Sequence, residues 1–97
     1  MPIYLALMTL TDHGVQNIKN APARIEQSIK DFEAAGGRLI DFYVVMGEQD
    51  FVCLIEGATD EVIMSFALRV SSVGNVKVTL LKAFTREQFA EAVRELP

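Results

Sequence analysis

Four short runs in this chain have the length and residue types of β-strands, and three of them are apolar on both faces. Along Ile3 to Leu10, Ile3, Leu5 and Leu7 alternate with Tyr4, Ala6, Met8 and Leu10. Along Leu39 to Met46, Ile40, Phe42, Val44 and Met46 oppose Leu39, Tyr43 and Val45, with only Asp41 charged inside the run. Along Phe51 to Glu56, Phe51, Cys53 and Ile55 oppose Val52 and Leu54. Only Val76 to Phe84, with Lys77, Thr79 and Lys82, is half polar. A sheet with one wet face alternates apolar with polar residues, so a sheet built from these runs has a second face to cover. Left open, it would form an apolar patch of several hundred Å², more than soluble monomers usually carry.

The segments between the runs read as helices and turns. Thr11 to Asn20 is a polar connection broken by Gly14, with Val15 and Ile18 spaced for a turn of helix. Pro22 suits the first turn of a helix, and Asn20 or Ala21 would cap it. Ile25, Ile29 and Phe32 supply that helix with a buried stripe, and Gly36-Gly37 ends it. Gly47 to Asp50 has hairpin-loop length. Gly57 and Thr59-Asp60 open a second helix with Ile63, Phe66, Ala67 and Val70 inward, and Gly74-Asn75 breaks it. Thr85 and Gln88 form a capping box, flanked by Phe84 and Phe89 as a hydrophobic staple. Phe89, Ala92, Val93 and Leu96 give this third helix its stripe.

The order is β-α-β-β-α-β-α. It predicts a single α+β domain over residues 1–97: the ferredoxin-like βαββαβ arrangement with an added C-terminal helix. Right-handed crossovers place the two main helices on one face of a four-stranded antiparallel sheet. Two devices would cover the other face. A second copy packed sheet to sheet forms a dimeric α/β barrel, or the third helix folds over its own sheet. A helix of that length covers only part of a sheet, which favours the homodimer.

Composition narrows the function classes. Thirteen acids against nine bases give a net charge of −4, unsuited to duplex nucleic acid or an anionic membrane. No apolar run approaches the ~20 residues of a membrane span, and no signal peptide opens the sequence. One cysteine, Cys53, excludes an internal disulfide framework. The expected compartment is the cytoplasm. One Cys and one His leave no metal-ligand spacing, so no metal or cofactor is expected. The third strand is acidic and aliphatic where an RNA-recognition sheet would stack bases on aromatics.

The sequence resembles the GYD-domain family of small bacterial and archaeal proteins. The likeness is carried by Leu7 to Gly14, Asn17-Ile18-Lys19, Pro22-Ala23-Arg24, Gly36 to Leu39, Phe42 to Gly47, Gly74-Asn75-Val76 and Ala83-Phe84-Thr85. It covers nearly the whole chain. One departure falls in the name-giving motif. The family pattern of Gly, any residue, Tyr and Asp is here Gly47-Glu48-Gln49-Asp50, so Gln49 stands in the tyrosine's place. His13 also stands where the pattern carries glutamine. The resemblance implies a ferredoxin-like fold of the dimeric α/β-barrel kind and implies no reaction.

Individual residues offer several chemistries. His13, next to Asp12, is the one side chain whose unperturbed pKa lies near neutrality, and an oriented base needs such a group. Asp50 closes the hairpin, where hydrogen bonding to the turn backbone is the favoured role and a carboxylate base at a pocket mouth the alternative. With Tyr43 these form the candidate catalytic set. Lys19 and Arg24 flank the start of the first helix and could hold an anion such as a carboxylate or phosphate. Tyr4, Met8 and Met46 would line a cavity between sheets, or serve dimer packing instead. Cys53 reads as a small buried hydrophobe.

Three functions compete. The first is an oligomeric module that binds a small organic or anionic ligand, or regulates. The second is a cofactor-free enzyme, monooxygenase- or isomerase-like, by analogy of fold alone. The third is a structural or interaction subunit built on the sheet's free edges.

Overall fold

The computed structural model describes residues 1–97. Its strands are β1 (Ile3–Leu10), β2 (Gly37–Val44), β3 (Phe51–Gly57) and β4 (Val76–Ala83). Its helices are α1 (Asp12–Gln16), α2 (Ala21–Ala34), α3 (Asp60–Val73) and α4 (Arg86–Arg94), with a 3-10 turn at Ile18–Asn20. The strands form one sheet in the order β2-β3-β1-β4, and all three pairings are antiparallel. This is the ferredoxin-like α+β fold with its added C-terminal helix.

The core lies between the sheet and the two long helices. Ala6 and Met8 of β1 and Phe51, Cys53 and Ile55 of β3 meet Phe32 of α2 and Ile63 and Phe66 of α3. The Phe32 and Phe66 rings, 4.8 Å apart between centroids, bridge the two helices. Each fully buried aliphatic or aromatic group of this kind stabilises the fold by about 1.5–3 kcal/mol.

Local signals set the ends of the helices. Thr59 caps α3 by accepting from the Val62 N–H, and Gly74, at φ 88°, ends it in the left-handed conformation. The capping box at Thr85 is complete: its hydroxyl accepts from Gln88 N at 3.0 Å and its own N–H donates to Gln88 Oε1 at 2.7 Å. Pro22 lies in the first turn of α2, but Asn20 makes no side-chain cap. The 3-10 turn runs directly into α2, so that end is continued rather than capped.

Three expectations need correction. Gly14 does not break the connection after β1. It lies buried within α1, where a Cβ would come 2.0 Å from the backbone oxygen of Asn75. The alternation in β2 is interrupted by a register shift between Leu39 and Asp41. Leu39 pairs with Ile55 and Phe42 with Cys53, so both join the helix side although they lie three positions apart. The strand also ends at Val44, leaving Met46 outside it and fully exposed.

Candidate functional site

The face of the sheet turned away from the helices can be read from the register. One row runs Asp41, Leu54, Leu5, Leu81 across the four strands; the next runs Tyr43, Val52, Leu7, Thr79. A third row runs Arg38, Glu56, Ile3, Ala83. The middle of the face is therefore aliphatic, with Asp41, Arg38, Glu56 and Lys77 toward its margins. Arg38 Nε donates to Glu56 Oε1 at 2.5 Å there. Leu5, Leu7, Val52 and Leu54 are only half-buried. No element of the chain covers them.

The C-terminal helix does not fold over this face. Every residue of α4 is exposed, including Phe89 at 68% and Val93 at 47%. Phe84 and Leu96, at either end, are exposed as well. The chain accordingly extends 54 Å along its longest axis against 19 Å along its shortest. A nine-residue helix has little stability by itself in water, because helices under about 12–15 residues barely offset the cost of their nucleus. Its apolar stripe is that of a helix built to pack, and within one chain it packs on nothing.

On the other side of the sheet, a cavity of about 90 Å³ opens between α2, α3 and the sheet. Its walls are mainly apolar and include Met8, Phe32, Phe51, Cys53 and Phe66. The polar groups on it are few: Arg24, Ser28 and Asn75. Arg24 Nη1 donates to the backbone oxygen of Asn17 at 3.2 Å. Asn75 is 7% exposed, and its Oδ1 is buried without a hydrogen-bond partner. Burial pushes the Cys53 thiol up to about 11.

The residues singled out from the sequence are dispersed over this frame. Met8 and Arg24 line the helix-side cavity. His13 lies exposed in α1, beside the Asn17 carboxamide. Asp50 turns its carboxylate to the backbone N–H of Leu10. Tyr43 is 60% exposed on the open sheet face. Lys19 is exposed in the 3-10 turn, and Met46 in the hairpin connection. Tyr4 lies on the helix side of β1, where its hydroxyl donates to Asp60 Oδ1 at 2.9 Å. Lys82 Nζ reaches the same carboxylate at 3.2 Å. The bond to Asp60 raises the Tyr4 phenol above its ordinary value, and the bonds from Tyr4 and Lys82 lower the Asp60 carboxyl. Gln49, in the family tyrosine's place, accepts from the Thr9 hydroxyl at 3.0 Å.

Sequence reasoning misses Asn75 as a cavity residue. Beside Gly74 it reads only as a helix breaker, and nothing in a Gly-Asn pair reveals that its carboxamide will be buried. The one available signal is its place immediately before Val76, at the foot of a strand.

Comparison with known proteins places these features in context. The family model described as GYD domain matches residues 4–93. A Thermus thermophilus protein, the glutamine synthetase and cystathionine beta-lyase binding protein, is 33% identical over 84 residues, covering 86% of this chain and 88% of that protein. No solved structure gives a significant match.

Proposed function

The chain belongs to the GYD-domain family, and from that premise we propose that it is a homo-oligomeric interaction module that acts by binding other proteins in the cytoplasm. The observation that carries this reading is the open sheet face, aliphatic at its centre and left uncovered while α4 holds its own apolar stripe in solvent.

A second copy is the occupant that best fits the sheet face. An isologous contact needs a self-complementary surface. Here an aliphatic centre is bordered by charges of both signs, Arg38 and Lys77 with Asp41 and Glu56. Two such faces closed on each other remove Leu5, Leu7, Val52 and Leu54 from water and form the dimeric α/β barrel. The stripe of Phe89, Val93 and Leu96 then has a neighbouring copy to pack against. The binding of other proteins rests on the Thermus relative, whose name records two enzymes as its partners.

Native mass spectrometry tests the self-association. The expected result is a dimer or a multiple of it, reduced to monomer by Leu5→Glu with the circular dichroism spectrum retained. A monomeric wild-type protein overturns that half of the reading. Mixing the protein with purified glutamine synthetase, and separately with cystathionine beta-lyase, tests the other half. A complex mass with either supports it, and failure with both removes the partner class carried over from the relative.

A further inference from the structure

The helix-side cavity plays no part in the interaction reading. It lies across the sheet from Leu5, Leu7 and Val52, so its occupancy and the closure of the open face are separate events.

Its composition resembles that of a small-molecule site, an apolar enclosure with a few polar groups in it. Asn75 is the group that needs explaining. More than nine-tenths of it is buried, and its side chain makes no hydrogen bond within the chain, with Oδ1 left unpartnered. A buried polar atom in that state is a standing cost to the fold. Had the position served packing alone, an aliphatic residue would fill it without that cost. Oδ1 is out of reach of water in the cavity, so a guest pairs with it only after the carboxamide turns about its last bond; a donor held there then removes the cost.

Arg24 lines the same cavity. It makes one hydrogen bond, to the Asn17 carbonyl, which leaves most of the five donors of its guanidinium for an anionic head. The volume sets the body of the guest. About 90 Å³ is less than the roughly 150 Å³ that accommodates benzene in an apolar protein cavity, so the enclosed part is a short aliphatic group.

We propose that this cavity is a binding site for a small aliphatic hydroxy acid: the branched or short chain lies among Phe32, Phe66 and Cys53, the hydroxyl donates to Asn75, and the carboxylate meets Arg24. Each part of the guest answers one feature of the wall, and a guest lacking one of them loses the matching interaction.

The test uses the full-length protein and 2-hydroxy-4-methylpentanoate as the probe, read as a saturable rise in melting temperature and by isothermal titration. Two comparison compounds dissect it in the wild-type protein: 4-methylpentanoate, which lacks the hydroxyl, and 4-methylpentane-1,2-diol, which lacks the charge. Each is expected to bind about tenfold more weakly than the probe, the equivalent of one hydrogen bond or one charge-assisted contact. Arg24→Gln is expected to abolish the preference for the acid over the diol, and Ser28→Phe, which adds a ring to the cavity wall, to abolish binding. Leu5→Glu, on the opposite face, is expected to bind the probe as the wild type does, whatever its assembly state. Absence of probe binding overturns the proposal, as does equal binding of all three compounds. Unchanged binding in a folded Ser28→Phe protein overturns it too, because the guest then sits elsewhere. None of these outcomes bears on whether two copies associate through the sheet.

Discussion

The carboxylate of Asp50 accepts a hydrogen bond from the backbone N–H of Leu10 at 2.8 Å, across 40 residues of sequence. The Asp50 backbone joins in, its N–H donating to the Met8 carbonyl at 2.9 Å and its carbonyl accepting from Val45 N at 2.9 Å. One residue thus fastens the β2–β3 connection to the end of the central strand β1. Asp50→Ala leaves the Leu10 N–H partly buried and unpaired. The expected loss is about 1.5–3 kcal/mol, the usual worth of a hydrogen bond to a charged group, measured as a lower urea midpoint at unchanged slope. A variant as stable as wild type would remove Asp50 from this structural role.

Gly14 meets the backbone of Asn75 so closely that any side chain there collides. A Cβ at this position would lie 2.0 Å from Asn75 O and 2.9 Å from Asn75 C, and backbone cannot swing away as a flexible side chain would. That carbonyl also accepts from Thr11 N at 3.0 Å, while the Thr11 hydroxyl donates to Gly74 O. Gly14→Ala therefore has to break the seam between α1 and the foot of β4. A loss of roughly 3 kcal/mol or more is expected, at the severe end for one added methyl group. Thermal denaturation monitored by circular dichroism measures it.

Phe89 discriminates an unpartnered α4 from a docked one. At 68% exposure within one chain, it contributes almost nothing to monomer stability. If α4 packs on a neighbouring copy, Phe89→Ser removes a large buried group from that contact. The expected result is a dimer dissociation constant raised at least tenfold, as for an aromatic anchor in an interface, with the melting temperature of the dilute monomer unchanged. Sedimentation equilibrium across a dilution series gives the constant, and an unchanged value would show that α4 does not take part.

Cys53 makes a pH-dependent prediction. Its thiol is raised by burial from 9.0 to about 11, so the folded protein holds the proton over a range where the unfolded chain has released it. With the folded value above the unfolded one, the stabilisation is complete below the unfolded pKa and is lost as pH rises toward 11. Stability should decline across that alkaline window more steeply in the wild type than in Cys53→Ala. Iodoacetamide should also label native Cys53 far more slowly than the urea-unfolded chain at pH 8, since the thiolate is the reactive form. Equal labelling rates would contradict the burial.

Much of the fold was legible because its signals are local. Thr59, Gly74 and the Thr85–Gln88 box act over three or four residues, so they can be read where they stand. The strand runs were visible for the same reason, and the uncovered second face followed from their alternation. The bulge in β2 was not legible. Leu39 and Phe42 share a face because β3 imposes its register on them, and that depends on a neighbour distant in sequence.

The amino-acid order by itself determined the sequence of elements, the antiparallel sheet and the surplus of apolar surface, since propensity, capping and periodicity act within a few residues of each other. Only the tertiary structure decided where that surplus goes. The α4 stripe is left in solvent, and Asn75 lines a cavity with its carboxamide oxygen buried, at the junction of α3 and β4 where Gly14 of α1 meets its backbone. The same holds for His13, exposed in α1, for Asp50, bonded to Leu10 N, and for Tyr43, exposed on the open sheet face. Which residues become neighbours depends on how separate elements pack, and no pattern within a single element carries that information.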